Sequence, residues 1–161
     1  MSVFKNYAVR EHMRSDVKTV IESTTLGEVI EEMLREKTNA LVVVKPDGKI
    51  AGIVTSWGLI EHLVPDYLEE DKHLAAFEAD SVFCERINWM KDQVVTEIMS
   101  TNVHTVKPDD SLMEVSAQIS QHHIRQLPVV DQDEKLVGYI NHTDVKRAMG
   151  MALGCDKNLL T

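Results

Sequence analysis

Apolar and polar positions alternate along the chain in a pattern that predicts both strands and helices. A β-rich run at residues 17–20 precedes a stripe with helical spacing, formed by Leu26, Val29, Ile30, Met33 and Leu34. Two further apolar runs, 41–44 and 50–54, flank an Asp-Gly pair, which is a strong hairpin signal. The order predicted for this part of the chain is therefore strand, helix, strand, strand and a closing helix that begins near Gly58.

The same order returns later in the chain without a gap. Met13 and Met99 begin similar stretches 86 residues apart (13 to 99), and the register continues through both copies. The second copy predicts strands at 103–106, 127–130 and 136–140, with a closing helix near Asp144. Capping boxes mark both first helices, at Thr25 with Glu28 and at Ser111 with Glu114. We call the copies repeat 1 and repeat 2.

The closing helices and the segment between the repeats also have apolar stripes. We expect these closing-helix residues to face inward: Leu59, Ile60, Leu63, Val145, Ala148, Met149 and Ala152. In the segment 65–93 a helix is predicted from Phe83, Ile87, Met90 and Val94, and a shorter one from Tyr67, Leu68, Leu74 and Phe77. Such stripes are usually packing surface, against the repeats or a second subunit.

Composition narrows the function more than the fold. The 161 residues carry a net charge of −9 with scattered Lys and Arg, which argues against nucleic acid as a partner. No apolar run is long enough to span a bilayer, and the first residues lack the apolar core of a secretory signal. We therefore expect a cytoplasmic protein that does not bind membranes. Cys84 and Cys155 have no paired spacing and are expected to be reduced thiols.

Two segments of repeat 2 carry a resemblance to a known family. Residues 124–131 (IRQLPVVD) and 138–145 (GYINHTDV) resemble two motifs of the cystathionine-β-synthase (CBS) domain. The resemblance implies an α+β fold of two tandem β-α-β-β-α motifs, packed through their sheets about a pseudo-two-fold axis. The motifs would occupy 8–64 and 94–150, with a helical linker at 65–93. The chain is similar to a stand-alone CBS pair, often called a Bateman module.

The resemblance also implies a function, because such pairs commonly bind AMP, ADP, ATP or a related adenosyl compound in a cleft between motifs. The expected module is regulatory, has no catalytic residues, requires no cofactor, forms a homodimer of four motifs and signals to an unknown effector protein. Similarity to the family's motifs assigns a ribose-binding role to Asp144, a phosphate-facing role to Arg125, and polar contacts to Asn141, which replaces the usual Thr or Ser. The remaining expected ligand-binding residues are His104, Thr105, Gln126, Leu127, Pro128, His142, Thr143 and Thr55.

Repeat 1 departs from the ligand-binding pattern. Gly58 stands where the aspartate should be, and Asn39 stands where repeat 2 has Arg125. We therefore expect one competent adenosine site per chain, built mainly on repeat 2. Trp57 could stack on a ring or fill the repeat-1 site itself.

Alternative interpretations remain open for the key residues. Asp144 could simply cap a helix, and Arg125 could be a surface cation. The whole chain could be a ligand-independent dimerisation scaffold with vestigial clefts. No hydrolase, P-loop or metalloprotease signature is present, so an enzyme is the weakest alternative. Adjacent His122 and His123 do not form a chelate by themselves, and no metal site is expected.

Overall fold

The computed structural model describes residues 7–78, 80–156, 158 and 160. The chain divides into two compact units. Each unit combines the main part of one repeat with the short segment at the start of the other repeat, and we call this segment an arm. The repeat-1 unit comprises residues 18–103. The repeat-2 unit comprises residues 7–17 and the described part of 104–160. The predicted α+β fold class is confirmed, since helices and small sheets occur in both units.

The repeat-1 unit contains a three-stranded sheet and the helices that cover it. Its strands are β1 (Thr19–Ile21), β2 (Ala40–Val44) and β3 (Ile50–Thr55), in the order β1-β2-β3. The β1–β2 pair is parallel and the β2–β3 pair is antiparallel. Helices α1 (Leu26–Glu36) and α2 (Ser56–Leu63) follow β1 and β3. The core is apolar and consists of Leu26, Val29, Met33, Leu41, Val43, Val54, Leu59, Met90 and Val95.

The segment between the repeats is helical, as predicted. It contains α3 (Asp66–Glu70), a 3-10 turn (Lys72–Phe77) and α4 (Asp80–Met90). Met90 is buried in the repeat-1 core, whereas the side chains of Phe77 and Phe83 are exposed. Of the predicted stripe, Val94 lies outside α4, because this helix ends at Met90. No helix in the described part of the chain is long and apolar enough to cross a membrane.

The repeat-2 unit has a two-stranded antiparallel sheet of β4 (Gln126–Val130) and β5 (Leu136–Asn141). Helix α5 (Leu112–His122) precedes β4, and α6 (His142–Ala152) follows β5 directly. The core again is apolar and consists of Val9, Val106, Leu112, Val115, Leu127, Val129, Ile140, Val145 and Ala148. Both predicted hairpins are confirmed, and so are both predicted capping boxes.

The predicted strand at 103–106 is wrong, since only Val106 makes a bridge, to Val129. The reason is visible in the repeat register. In repeat 1 the Val42 N–H donates to the Lys18 carbonyl at 3.2 Å and helps to hold β1 in place. The matching position in repeat 2 is Pro128, which has no N–H to donate.

Three inward-facing predictions for the closing helices are also wrong. Ile60, Met149 and Ala152 are exposed, whereas Leu59, Val145 and Ala148 are buried. The apolar stripe is therefore narrower than the sequence suggests.

Each unit is completed by an arm that docks on its second hairpin strand. Arg14 exchanges two backbone hydrogen bonds of 2.8 Å with Tyr139, and Ser100 forms the equivalent pair with Ile53. Glycine is required beneath both arms, because a Cβ at Gly138 would lie closer than 3.0 Å to the Arg14 carbonyl oxygen. The arm in the repeat-2 unit thereby places the Arg14 side chain against α6.

Candidate functional site

The predicted ligand residues of repeat 2 meet where β5 turns into α6. Gln126 on β4 pairs in register with Asn141 at the end of β5. The His142 N–H donates to the Arg125 carbonyl oxygen at 3.0 Å, and the His142 ring contacts the same oxygen through Nδ1 at 3.3 Å. The fold therefore brings 125–126 beside 141–144. Arg125 is exposed, as a residue that meets a soluble anion must be.

Asn141 and Asp144 form a capping box at the start of α6. The Asp144 N–H donates to the Asn141 side-chain oxygen at 2.9 Å, and the Asn141 N–H donates to Asp144 Oδ2 at 3.0 Å. This box satisfies two amide donors that the first helical turn leaves without helical partners. The capping role that the sequence left open for Asp144 is thus present in the structure.

Asp144 is also the centre of an ion cluster. Its side chain is 1% exposed, and it is the buried charged residue of the described chain. Arg14 Nε and Arg147 Nη1 each lie 3.0 Å from Asp144 Oδ1, while the two arginine side chains are 38% and 32% exposed. The hydrogen bond to Asp144, reinforced by its charge, raises the pKa of Arg14 above its ordinary value. Two guanidinium groups therefore share one buried carboxylate beside α6, and the charge of Asp16 also acts on Arg14.

Arg14 and Arg147 were not among the residues predicted from the sequence. Arg147 lies three positions after Asp144 on α6, a spacing at which side chains of a helix meet. That signal was available in the sequence. Arg14 is distant in sequence, and only the docking of the arm on Tyr139 brings it to Asp144.

The remaining predicted residues of the repeat-2 unit are half-buried or buried. The rings of His104 and His122 stack with their centroids 3.7 Å apart, so His104 is already in contact with a neighbouring side chain. Leu127 and Pro128 are buried in the repeat-2 unit, where a ligand could meet their backbone more readily than their side chains. The Thr105 carbonyl oxygen accepts a bond of 3.4 Å from the Gln118 side chain. Thr143 is half-buried at the start of α6.

The corresponding turn of repeat 1 has a different chemistry. The Thr55 hydroxyl accepts a hydrogen bond of 3.1 Å from the Gly58 N–H and caps α2. No carboxylate stands at Gly58, and the exposed Trp57 donates its indole N–H to Glu61 at 2.7 Å. Thr55 belongs to the repeat-1 unit, whereas the cluster around Asp144 belongs to the repeat-2 unit.

Other site chemistries find little support in the described residues. Among them, no group of three or more His, Cys, Asp or Glu side chains could hold a metal ion. Cys84 and Cys155 are both free thiols.

Comparison with known proteins identifies the repeated unit. A family model described as the CBS domain matches residues 9–65 and 95–150. The crystal structure of the CBS-pair protein CBSX2 from Arabidopsis thaliana superposes with a TM-score of 0.76 at 22% identity, covering 93% of this chain and 99% of that one. CBSX2 in complex with AMP gives a TM-score of 0.69 at 24% identity, covering 91% and 98%.

A third structure holds other adenosyl compounds. The CBS domain pair of protein MJ0100, in complex with 5′-methylthioadenosine and S-adenosyl-L-methionine, has a TM-score of 0.67 at 22% identity, covering 90% of this chain and 97% of that one. At this identity these structures establish the fold of the chain. Among curated proteins, a homoserine O-acetyltransferase of Methanohalobium evestigatum is 24% identical over 86% of this chain, which spans 23% of that protein.

Proposed function

Since the chain belongs to the CBS domain family, we propose that it is a non-catalytic regulatory module that binds an adenosyl compound on its repeat-2 unit. AMP, ADP and ATP are the leading ligands, and S-adenosyl-L-methionine is a related one. The bound state would be passed to a partner protein. The enzymes among the curated relatives are about four times longer than the matched segment, so their activity is not carried over.

One observation carries this proposal: the clustering of polar groups at the β5–α6 turn. The fold places the Arg125 backbone against His142, pairs Gln126 with Asn141, and sets Asp144 at the first turn of α6. A cation or a helix N-terminus can hold the phosphate of a nucleotide, strand backbone can form hydrogen bonds with its base, and a carboxylate can accept hydrogen bonds from its ribose. CBS pairs of the same fold bind AMP, 5′-methylthioadenosine and S-adenosyl-L-methionine.

The direct test is calorimetric titration of the full chain with AMP, ADP, ATP and S-adenosyl-L-methionine at fixed salt. Because Asp144 supports the fold, its replacement cannot serve as the binding control. Arg125→Gln is the sharper variant, since Arg125 is exposed and its backbone contact to His142 remains. Loss of a charged hydrogen bond should weaken a phosphorylated ligand about tenfold.

A matched control is Arg35→Gln, which removes an exposed arginine that pairs with Glu32 on the repeat-1 unit. It should leave nucleotide binding unchanged. Saturable binding that Arg125→Gln weakens and Arg35→Gln does not would support the proposal. Absence of binding to folded, nucleotide-free protein would reject it.

We propose in addition that the chain forms a homodimer, and the repeat-1 unit carries the surface that favours this. An apolar groove of about 440 Å³ runs between α1, α2 and α4. At its rim Leu34 is 74% exposed and Ile60 is 56% exposed. The matching positions of repeat 2 are polar, Ser120 and Lys146. Contiguous exposed apolar surface is typical of protein interfaces.

This surface also supports the alternative function, a homodimerisation scaffold whose ligand sites are vestigial. The Asp144 carboxylate, which is buried and already accepts hydrogen bonds from Arg14, Arg147 and the Asn141 N–H, favours that alternative as well. Sedimentation equilibrium separates the cases when it is performed with and without nucleotide. Ile60→Lys introduces the residue type found at Lys146 and should dissociate the dimer. Met113→Lys, on an exposed position of the repeat-2 unit, is the control that should not. Dimers with no nucleotide binding would establish the scaffold.

A further inference from the structure

Asp144 is closed to a ribose in this structure. Its Oδ1 accepts hydrogen bonds from Arg14 and Arg147, its Oδ2 accepts one from the Asn141 N–H, and its side chain is 1% exposed. A ribose hydroxyl must donate to a carboxylate oxygen that it can reach. Three of the roughly four acceptor sites of this carboxylate are therefore occupied, and Oδ1, which both arginines hold, becomes available to a ligand only if one of them leaves.

Arg14 is the donor that can leave most easily. The Asn141 N–H is fixed in the backbone, and Arg147 is held on α6, where its Nε donates to the Leu160 carbonyl oxygen. The Arg14 side chain is also slightly more exposed than the Arg147 side chain, at 38% against 32%. Its backbone is anchored to Tyr139 by two hydrogen bonds of 2.8 Å, so its side chain can rotate without moving the arm.

The charge of the cluster decides what would draw Arg14 away. Arg14 and Arg147 both pair with one carboxylate, and Asp16 is a further acid whose charge acts on Arg14. When Arg14 leaves, Arg147 still neutralises Asp144, and the released guanidinium needs an anion. A phosphate group suits it well, because guanidinium and phosphate form paired hydrogen bonds of favourable geometry. An uncharged nucleoside offers no such replacement.

We propose that Arg14 is a specificity-determining latch that couples phosphate recognition to ribose recognition. It holds Asp144 closed in the absence of ligand, and the phosphate of an adenosine nucleotide takes over its guanidinium, which opens Asp144 to the ribose. This inference rests on the proposed nucleotide-binding function. The repeat-1 unit has no counterpart of this charged cluster, because the positions that match Arg14, Asp144 and Arg147 are Ser100, Gly58 and Glu61.

Arg14→Gln tests the latch when the full chain is titrated with adenosine and with AMP at fixed low salt. Removal of the competitor for Asp144 should tighten adenosine about tenfold, and loss of the phosphate partner should weaken AMP about tenfold. The preference for AMP over adenosine should thus fall about a hundredfold. Arg14→Lys keeps the charge and should restore part of that preference.

Arg10→Gln is the matched control. Arg10 lies on the same arm and carries the same charge, but it pairs with the exposed Asp109 rather than with Asp144. It should leave both affinities within about twofold of wild type. Arg14→Gln should remain folded, because Arg147 still pairs with Asp144, and circular dichroism verifies this before titration.

Inorganic phosphate provides a second test that needs no variant. Phosphate should tighten adenosine binding to the wild type by occupying Arg14, and it should have no such effect on Arg14→Gln. The latch is rejected if folded Arg14→Gln keeps the wild-type preference for AMP, if it loses affinity for both ligands equally, or if phosphate only competes with adenosine. A wild type that binds neither ligand rejects the proposed function itself, which is a separate result.

Discussion

The two repeats have equivalent apolar cores, but they differ in the polar groups at the turn between the second hairpin strand and the closing helix. Leu41 and Leu127 occupy matching positions in the central strands and are both fully buried. At the strand-to-helix turns that follow, repeat 2 has a capping box with a buried carboxylate, whereas repeat 1 has Thr55 capping a glycine. The arms follow the same division. Both lie over a glycine and form equivalent backbone bonds with the residue that follows it, yet one brings Arg14 and the other Ser100.

The comparison separates what the fold needs from what a site needs. A buried apolar strand, a glycine under the arm and a capped first turn are present in both repeats, so these belong to the fold. Arg14, Asp144 and Arg147 have no counterparts in the repeat-1 unit, and Asp144 is a buried charge, which is costly to keep without partners. The apolar rim of Leu34 and Ile60 is the reverse case, present in repeat 1 alone.

The largest expected effects concern the two equivalent cores. Leu41→Ala and Leu127→Ala each remove a fully buried side chain and should lower the free energy of unfolding by about 3 kcal/mol. The two costs should agree within about 1 kcal/mol if the cores are equivalent. Urea denaturation of both variants measures this. A cost several times larger in one repeat would break the claimed equivalence.

The arms should also respond alike. A Cβ at Gly138 would crowd the Arg14 carbonyl oxygen and Met13, and a Cβ at Gly52 would crowd Ser100 and Met99. Gly138→Ala and Gly52→Ala should each reduce the free energy of unfolding by about 2 kcal/mol, since the arm must shift to make room. Hydrogen exchange should show faster exchange of the Arg14 or Ser100 amide in the respective variant. Unchanged exchange in both would show that the arms do not depend on these glycines.

Alanine at the matching positions 144 and 58 should change the free energy of unfolding in opposite directions. Asp144→Ala removes the hydrogen bond that its side chain accepts from the Asn141 N–H and the two that it accepts from arginines, and should cost about 2 kcal/mol. Gly58→Ala meets only an ordinary contact with the Thr55 hydroxyl and should stabilise α2 by about 0.5–1 kcal/mol. Thermal unfolding of both variants checks the contrast. Equal signs would mean that the two turns are not as different as the structure indicates.

The smallest effect is the pH response of the α1 capping box. Hydrogen bonds from Thr25 lower the pKa of Glu28 below its ordinary value of 4.5. The unfolded chain therefore takes up this proton more readily, so the stabilisation is present above the ordinary value and is lost as the pH falls through the folded value. Glu28→Gln should reduce the acid sensitivity of the urea midpoint, and Thr25→Ala should diminish that difference only in part, because the backbone N–H of residue 25 still donates to Glu28. A midpoint that depends on pH identically in wild type and Glu28→Gln would contradict it.

Local patterns predicted most of the fold, because the repeat, the hairpins and the capping boxes depend on residues close in sequence. The third strand of the repeat-2 sheet was predicted and is absent, since one proline without an N–H outweighs the apolar pattern of 103–106. The exposure of Ile60 and Met149 depends on which neighbours a helix meets, and no single stripe specifies that.

The candidate site was predictable only in part. The motif of repeat 2 pointed to Asp144, Asn141 and Arg125, and the structure places these at one turn. One partner of Asp144, Arg14, lies on an arm 130 residues away from it. Contacts of that separation follow from the packing of the whole unit rather than from any local pattern. This is why the sequence suggested a free ribose-binding carboxylate, while the structure contains one that is already paired.

The measurement that tests the central claim most directly is the mapping of AMP on the isotopically labelled full chain by amide chemical shifts. If repeat 2 carries the nucleotide site, saturation should occur near one AMP per chain. The large shifts should fall on 125–126 and 141–147, together with the Arg14 amide. Shifts centred instead on Thr55, Trp57 and Gly58 would place the nucleotide on repeat 1 and contradict the account. No shifts at all would contradict the nucleotide-binding account and leave the homodimerisation scaffold.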